Sequence, residues 1–213
     1  MNLKEAFRYQ NKLQRLMDEA ESILSRERNV VKIENTVLLH KVNPEAADET
    51  TLELPETEYA EQINQVAALL LRLLDQRCLL AAAIRKAKQS LDLDFDGEVS
   101  LNAKRQEIAG IFRRMSDIRS TETLQPGGGY GYKFNAEGNQ VSYRCDLRTV
   151  TTINFDRNKV RGYASMLSRE ADNTSALLDA CLVNTQVDYQ PPFDVNDSFA
   201  DVLQLYIDAP GNL

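Results

Sequence analysis

The spacing of apolar residues near the start of the chain limits its possible folds more than any other feature. Leu3, Ala6, Gln10, Leu13, Met17, Ala20 and Leu24 follow one another by steps of three and four, with Gln10 as the single polar member. Such steps lay a stripe along one side of a helix, and their strict alternation is the seam of a coiled coil. A lone helix of this length is marginal in water, so the seam predicts a second rod against it.

Three more rods follow from the same arithmetic. Pro55, with Glu56 and Glu58 beside it, marks the start of a helix running to about Leu91, because proline and acids suit a first helical turn. Its stripe is Tyr59, Ile63, Val66, Leu70, Leu73, Leu80 and Ile84, broken at Arg77. Leu69, Leu74, Ala81 and Ala82 widen it, which predicts cover on more than one side. A third helix, Ser100 to about Arg119, carries Leu101, Ile108, Ile111, Met115 and Ile118. The short connection between these two predicts an antiparallel hairpin. A fourth, Asp156 to about Val183, sets Val160, Ala164, Leu167, Ala171, Thr174, Leu178 and Cys181 on one face behind an Asp156 cap.

Extended structure is confined to two places. Val30–Val42 is short and rich in β-branched residues, which predicts an edge strand. Tyr132-Lys133-Phe134 and Val141-Ser142-Tyr143 alternate around Ala136-Glu137-Gly138-Asn139 as a β-hairpin does, and Thr149–Ile153 adds another extended piece. The class expected is therefore mainly α: long antiparallel helical hairpins in a coiled-coil-like bundle, with a small β-hairpin insertion near residues 130–155. This helical domain spans residues 1–189, and an acidic tail, 190–213, follows it.

Charge is unevenly placed. Seven acids and no Lys or Arg lie between Val42 and Glu61, and five more acids without a base follow Asn184; these twelve turn a remainder of +5 into the net −7. Coulomb attraction can assist both acidic segments in lying against the basic body or a neighbouring copy; a pair of solvated loops is the equal alternative. In the tail, Asp197-Ser198 can cap a short helix with Phe199, Val202, Leu203 and Tyr206 on one side, a pattern suited to docking, on its own chain or on another.

Several chemistries are excluded or disfavoured. The opening residues interleave charges where a signal peptide needs an apolar run, and Val66–Ile84 is interrupted by Arg72, Asp75 and Arg77, so no membrane span is expected. Cys78, Cys145 and Cys181 are odd in number and far apart, which fits a reducing cytoplasmic setting rather than a disulfide framework. The single histidine, His40, has no catalytic motif around it, and a zinc site with the three cysteines lacks any short paired spacing. Pro126–Gly131 lacks the Lys-Ser/Thr ending of a phosphate loop. With pI near 4.9 and no aromatic residues among the basic clusters Arg85-Lys86-Lys88 and Arg113-Arg114, nucleic-acid binding is disfavoured.

One ion site is suggested. Asp92, Asp94 and Asp96 alternate ahead of Gly97, as the oxygens of a calcium loop do. The twelfth position, which needs a bidentate Glu, is Ala103, with Lys104 and Arg105 after it, so poor Ca²⁺ affinity is expected. The competing reading is a turn between helices in which Asp96 or Ser100 caps the next one.

Asn2-Leu3-Lys4-Glu5-Ala6 at the head of a helix ending near Leu24, Leu74-Asp75-Gln76-Arg77, Tyr143-Arg144-Cys145-Asp146-Leu147 and Asn184-Thr185-Gln186-Val187-Asp188 together resemble the septicolysin-like family of bacterial proteins. The resemblance covers Met1–Leu24, Ile63–Leu91 and Val141–Asp188; the acidic loop, the Gly-rich segment and the tail after Tyr189 depart from it. It implies helical hairpins, self-association and no established enzyme activity. The function expected is that of a cytoplasmic, non-enzymatic scaffold or assembly component of bacterial or mobile-element origin that forms a homo-oligomer, its small-molecule substrate, if any, unknown. The alternative is a Ca²⁺-responsive binding module built on the Asp92–Asp96 turn.

Overall fold

A computed structural model describes residues 1–209, so the last four residues of the acidic tail lie outside it. The described chain holds six α-helices and two separate two-stranded antiparallel sheets. It divides into two compact units, one formed by Met1–Phe95 with the chain from Asp179 onward, the other by Asp96–Leu178. The acidic tail therefore belongs to the first unit and is not a separate appendage.

In the first unit, α1 (Leu3–Leu24) opens with a reciprocal cap: Asn2 Oδ1 accepts the Glu5 N–H at 2.8 Å, and Glu5 Oε2 accepts the Asn2 N–H at 2.8 Å. These bonds satisfy amides that the first helical turn leaves unpaired. The helix buries a wider face than a single seam, adding Tyr9, Leu16 and Ile23 to Leu3, Ala6, Leu13, Met17 and Ala20. It packs antiparallel to α3 (Ile63–Gln89): Phe7 lies 5.1 Å from the Lys88 ammonium near the far end of α3. Between them the chain forms the one-turn α2 (Glu27–Val30), strand β1 (Ile33–Val37) and strand β2 (Glu49–Glu53), paired from Ile33↔Glu53 to Val37↔Glu49. Helix α3 buries Val66, Leu69, Leu73, Leu80, Ile84 and Ala87. Each fully buried leucine contributes about 1.5–3 kcal/mol of gross transfer energy, set against the entropy of ordering the chain.

The second unit contains the body of α4 (Phe95–Asp117), a long hairpin of β3 (Thr121–Phe134) and β4 (Gln140–Thr151), and most of α5 (Arg157–Asn184). Helices α4 and α5 run antiparallel and meet through polar groups. Asn102 donates to Ser175 Oγ at 2.9 Å, Arg113 to Ser168 Oγ at 2.6 Å, and Arg157 to the Ser116 carbonyl at 2.9 and 3.1 Å. Phe112 and Tyr163 add a ring contact of 5.8 Å.

The expected coiled-coil-like bundle of long helical hairpins is corrected: the chain is an α/β protein with two small sheets. Three physical reasons are visible. Helix α3 begins at Ile63, not Pro55, because residues 55–62 form turns that place Tyr59 edge-on to Phe199, ring centroids 5.5 Å apart. A second strand, β2, lies within the acidic segment, where a solvated loop had been the alternative to contact with the body. The expected seam of α4 is only partly covered: Leu101, Ile111 and, just past the helix, Ile118 are exposed and Ile108 and Met115 half-buried, while Phe95, Asn102, Ala109 and Ser116, seven residues apart, are buried. The face expected for α5 does agree with its burial, at Val160, Ala164, Ala171 and Leu178.

Candidate functional site

The β3–β4 hairpin presents the most unusual surface. Its turn is built by Asn135, whose N–H donates to the Asn139 carbonyl at 2.9 Å and whose Oδ1 accepts the N–H groups of Glu137 and Asn139. Gly138 takes φ +78°, a left-handed conformation that costs a residue with a Cβ about 1–2 kcal/mol. Pairing runs from Phe134↔Gln140 down to Gly129↔Cys145, is interrupted, and resumes from Gln125↔Leu147 to Thr121↔Thr151. The interruption is a bulge at Pro126–Gly128. There Gly127 has φ +65° and its N–H donates to Asp146 Oδ1 at 3.0 Å. The glycine run is thus a shaped kink inside a strand rather than a linker.

Directly paired residues share a face. Tyr130, Tyr132 and Phe134 therefore line one face with Arg144, Ser142 and Gln140 opposite them. The three rings are 63%, 66% and 74% exposed, and the Arg144 guanidinium sits 5.6 Å from the Tyr130 ring centre. On the other face Tyr143 lies across Gly131, so close that a Cβ there would come within 2.5 Å of its ring. Among the described residues, neither strand contributes a buried side chain.

Two helices also carry uncovered apolar edges. On α3, Leu71 is 65%, Leu74 45% and Leu79 58% exposed, with Cys78 exposed between them. This corrects the expectation that α3 is covered on more than one side. On α4 Val99, Leu101 and Ile111 are uncovered, and Ile118 just past its end is as well.

The residues singled out from sequence fall elsewhere. Phe199, Val202 and Leu203 are buried against their own chain on α6 (Phe199–Asp208), which packs on α3, and Tyr206 is half-buried. The docking they were expected to perform is internal. Ser198 caps α6, and the buried Lys12 of α1 donates to the Asp197 carbonyl, while Arg8 donates to Asn196 Oδ1 at 3.2 Å. The acidic tail is therefore held by the basic side of α1. Asp92 and Asp94 lie in the turn before α4 and Asp96 in its first turn; among the described residues no three His, Cys, Asp or Glu side chains come together as metal ligands. Ser100 donates to the Asp96 carbonyl at 3.0 Å. His40 pairs with Asp48 at 2.6 Å and closes the loop between β1 and β2.

A cleft of about 600 Å³ runs between α1 and the segment after Tyr189, lined by Glu5, Arg8, Tyr9, Pro191, Phe193 and Asp194. Tyr9 is 2% exposed, and its hydroxyl has no hydrogen-bond partner among the described residues. Its pKa is pushed well above the usual 10, first by burial and then by the neighbouring Tyr189, against an opposing pull from the nearby Phe193 backbone, which does not reach hydrogen-bond geometry. Tyr189, donating to Gln76 Oε1 at 2.7 Å, is pushed up to about 12 by burial.

Sequence reasoning missed the uncovered aromatic face. The alternation Tyr130-Gly131-Tyr132-Lys133-Phe134 was the signal available for it, since period-two spacing puts all three rings on one side. Comparison of the chain with protein-family models, curated proteins and solved structures finds no match in any of the three. Among the described residues, no helix is long and apolar enough to cross a membrane.

Proposed function

We propose that this chain is a non-enzymatic, self-associating scaffold or assembly component that works in the cytoplasm of bacteria or of their mobile elements. The observation that carries the reading is the second apolar face of α3, where Leu71, Leu74 and Leu79 stand 45–65% exposed on one of the two long helices of its unit. Exposed leucines scattered singly are ordinary, whereas three within nine residues of one helix form a patch of the kind that marks a contact surface. The resemblance to septicolysin-like proteins, with the self-association it implies, points the same way. The cysteines are consistent with a reducing compartment, since Cys78 and Cys145 are exposed free thiols.

Light scattering or sedimentation at micromolar concentration tests the proposal. The expected result is a mass at least twice that of the 24.1 kDa chain, reduced by Leu71→Lys together with Leu74→Lys. A monodisperse monomer across that range refutes it.

A further inference from the structure

We infer that the aromatic face of the β3–β4 hairpin is a second contact between copies of this chain, formed by Tyr130, Tyr132 and Phe134 of one copy against the same face of another. The inference rests on self-association as proposed above and adds a surface in the other unit. Three observations carry it.

The first is stability. A two-stranded hairpin in water is marginal unless a third layer covers it. This one holds eleven cross-strand pairs with no buried side chain among the described residues, and its three most exposed rings, Tyr130, Tyr132 and Phe134, stand together on one face, with Tyr143 on the other.

The second is area. An aromatic side chain buries about 150–250 Å², so three rings about two-thirds exposed offer roughly 400 Å² per copy and about 800 Å² in a pair. The intervening Gln140, Ser142 and Arg144 carry the footprint toward the roughly 1,200 Å² at which stable interfaces begin. Each ring has only two side-chain torsions to fix, so little side-chain entropy is lost on contact.

The third is charge. The chain carries −7, but residues 121–151 carry Glu122, Glu137 and Asp146 against Lys133, Arg144 and Arg148 and are neutral. Two copies can therefore approach here without the repulsion that acts between the remaining parts. A single-stranded nucleic acid would also stack on exposed rings, but it needs a basic groove, and Arg148 on this hairpin is already paired with Glu122 at 2.7 Å. A face shared with a second copy suits a neutral aromatic surface; the contact is then isologous, and together with the α3 surface it allows assemblies larger than a dimer.

The full-length chain and three variants test this by light scattering across a dilution series. Tyr130→Ser, Tyr132→Ser and Phe134→Ser combined should raise the dissociation constant of one contact by about a hundredfold or more, because aromatic anchors dominate interface energy. Tyr132→Lys alone should act in the same direction, and at 66% exposure a lysine there is compatible with the folded monomer. Tyr143→Ser, on the opposite face, should leave the mass unchanged. If the wild type associates and the triple and Tyr132→Lys variants retain its mass with wild-type helical circular dichroism, the hairpin contact is refuted while self-association stands. If the wild type is a monomer, both readings fail. A labelled oligonucleotide bound by the wild type and released by the triple variant would also overturn the inference in favour of a stacking surface for nucleic acid.

Discussion

Replacing Tyr9 with phenylalanine should stabilise this protein, the reverse of what most core substitutions do. The ring is packed on two others, Phe193 at 5.4 Å and Tyr189 at 5.9 Å between centroids, and Tyr9→Phe leaves both contacts intact. Only the oxygen is removed, and that oxygen is buried without a partner among the described residues. A buried hydroxyl with no hydrogen bond costs about 1–3 kcal/mol relative to its hydrated state, whereas the small void left behind costs on the order of a few tenths. The expected net gain is about 1 kcal/mol, or about 2–4 °C in melting temperature for a chain of this size. The phenol also sets a pH dependence. Its pKa is raised in the folded state, so the wild type keeps its full stability below pH 10, where the phenol is protonated both folded and unfolded. That stability is lost as pH rises, because the unfolded chain ionises and the folded one resists. Tyr189, raised to about 12, acts in the same direction over the window from 10 to about 12. Tyr9→Phe removes one of these two titrations, so its advantage over the wild type should widen in alkali. Urea unfolding near neutral pH and at about pH 11, read as midpoints at constant slope, measures both effects. A variant less stable than wild type by more than about 1 kcal/mol, or one with an unchanged alkaline limb, would mean that the hydroxyl is satisfied and the reasoning is wrong.

Other substitutions probe the remaining elements. Leu203→Ala, at a side chain 1% exposed in α6, should cost about 2–5 kcal/mol in urea unfolding; a loss below about 1 kcal/mol would remove α6 from the core. Gly127→Ala forces a Cβ into φ +65° and should cost about 1–2 kcal/mol locally, seen as faster amide exchange across β3 and β4 with α1 and α3 unaffected. Asp201 is held below its ordinary value by bonds from the Ser198 hydroxyl and N–H, so its contribution is present above about pH 3.8 and fades as pH falls through the folded pKa. Asp201→Asn should therefore flatten the acid limb of a melting-temperature profile and lower its plateau; an unchanged limb would mean the cap contributes nothing.

The helices were legible because their apolar residues recur at helical spacing, and burial alone needs no partner's identity to show in a sequence. The Ser198 cap of α6 belongs to the same short-range class, as does the capping box at Asn2 and Glu5, which the sequence reading passed over. Helix α4 was misread because hydrophobicity was taken as the mark of its inner face. After Phe95 that face is Asn102, Ala109 and Ser116, small residues with hydrogen bonds to Ser175 and from Arg157, while Leu101 and Ile111 point outward and Ile108 is half-buried. Strand β2 was missed because Glu49-Thr50-Thr51-Leu52-Glu53 reads as acidic loop until β1 supplies its hydrogen bonds. The hairpin turn was found from Gly138 and Asn139, but its length was not, because the Pro126–Gly129 run marks breaks in a strand and bulges equally well.

The sequence alone determined where the bodies of the four long helices lie and where the β3–β4 hairpin turns, because these depend on residues a few positions apart. Tertiary structure decided which side of each helix is hidden, that the acidic tail folds onto α1, and that Tyr130, Tyr132 and Phe134 remain in water. Those outcomes depend on what lies opposite a side chain, and that neighbour comes from a distant part of the chain or, on the proposal made here, from a second copy of it.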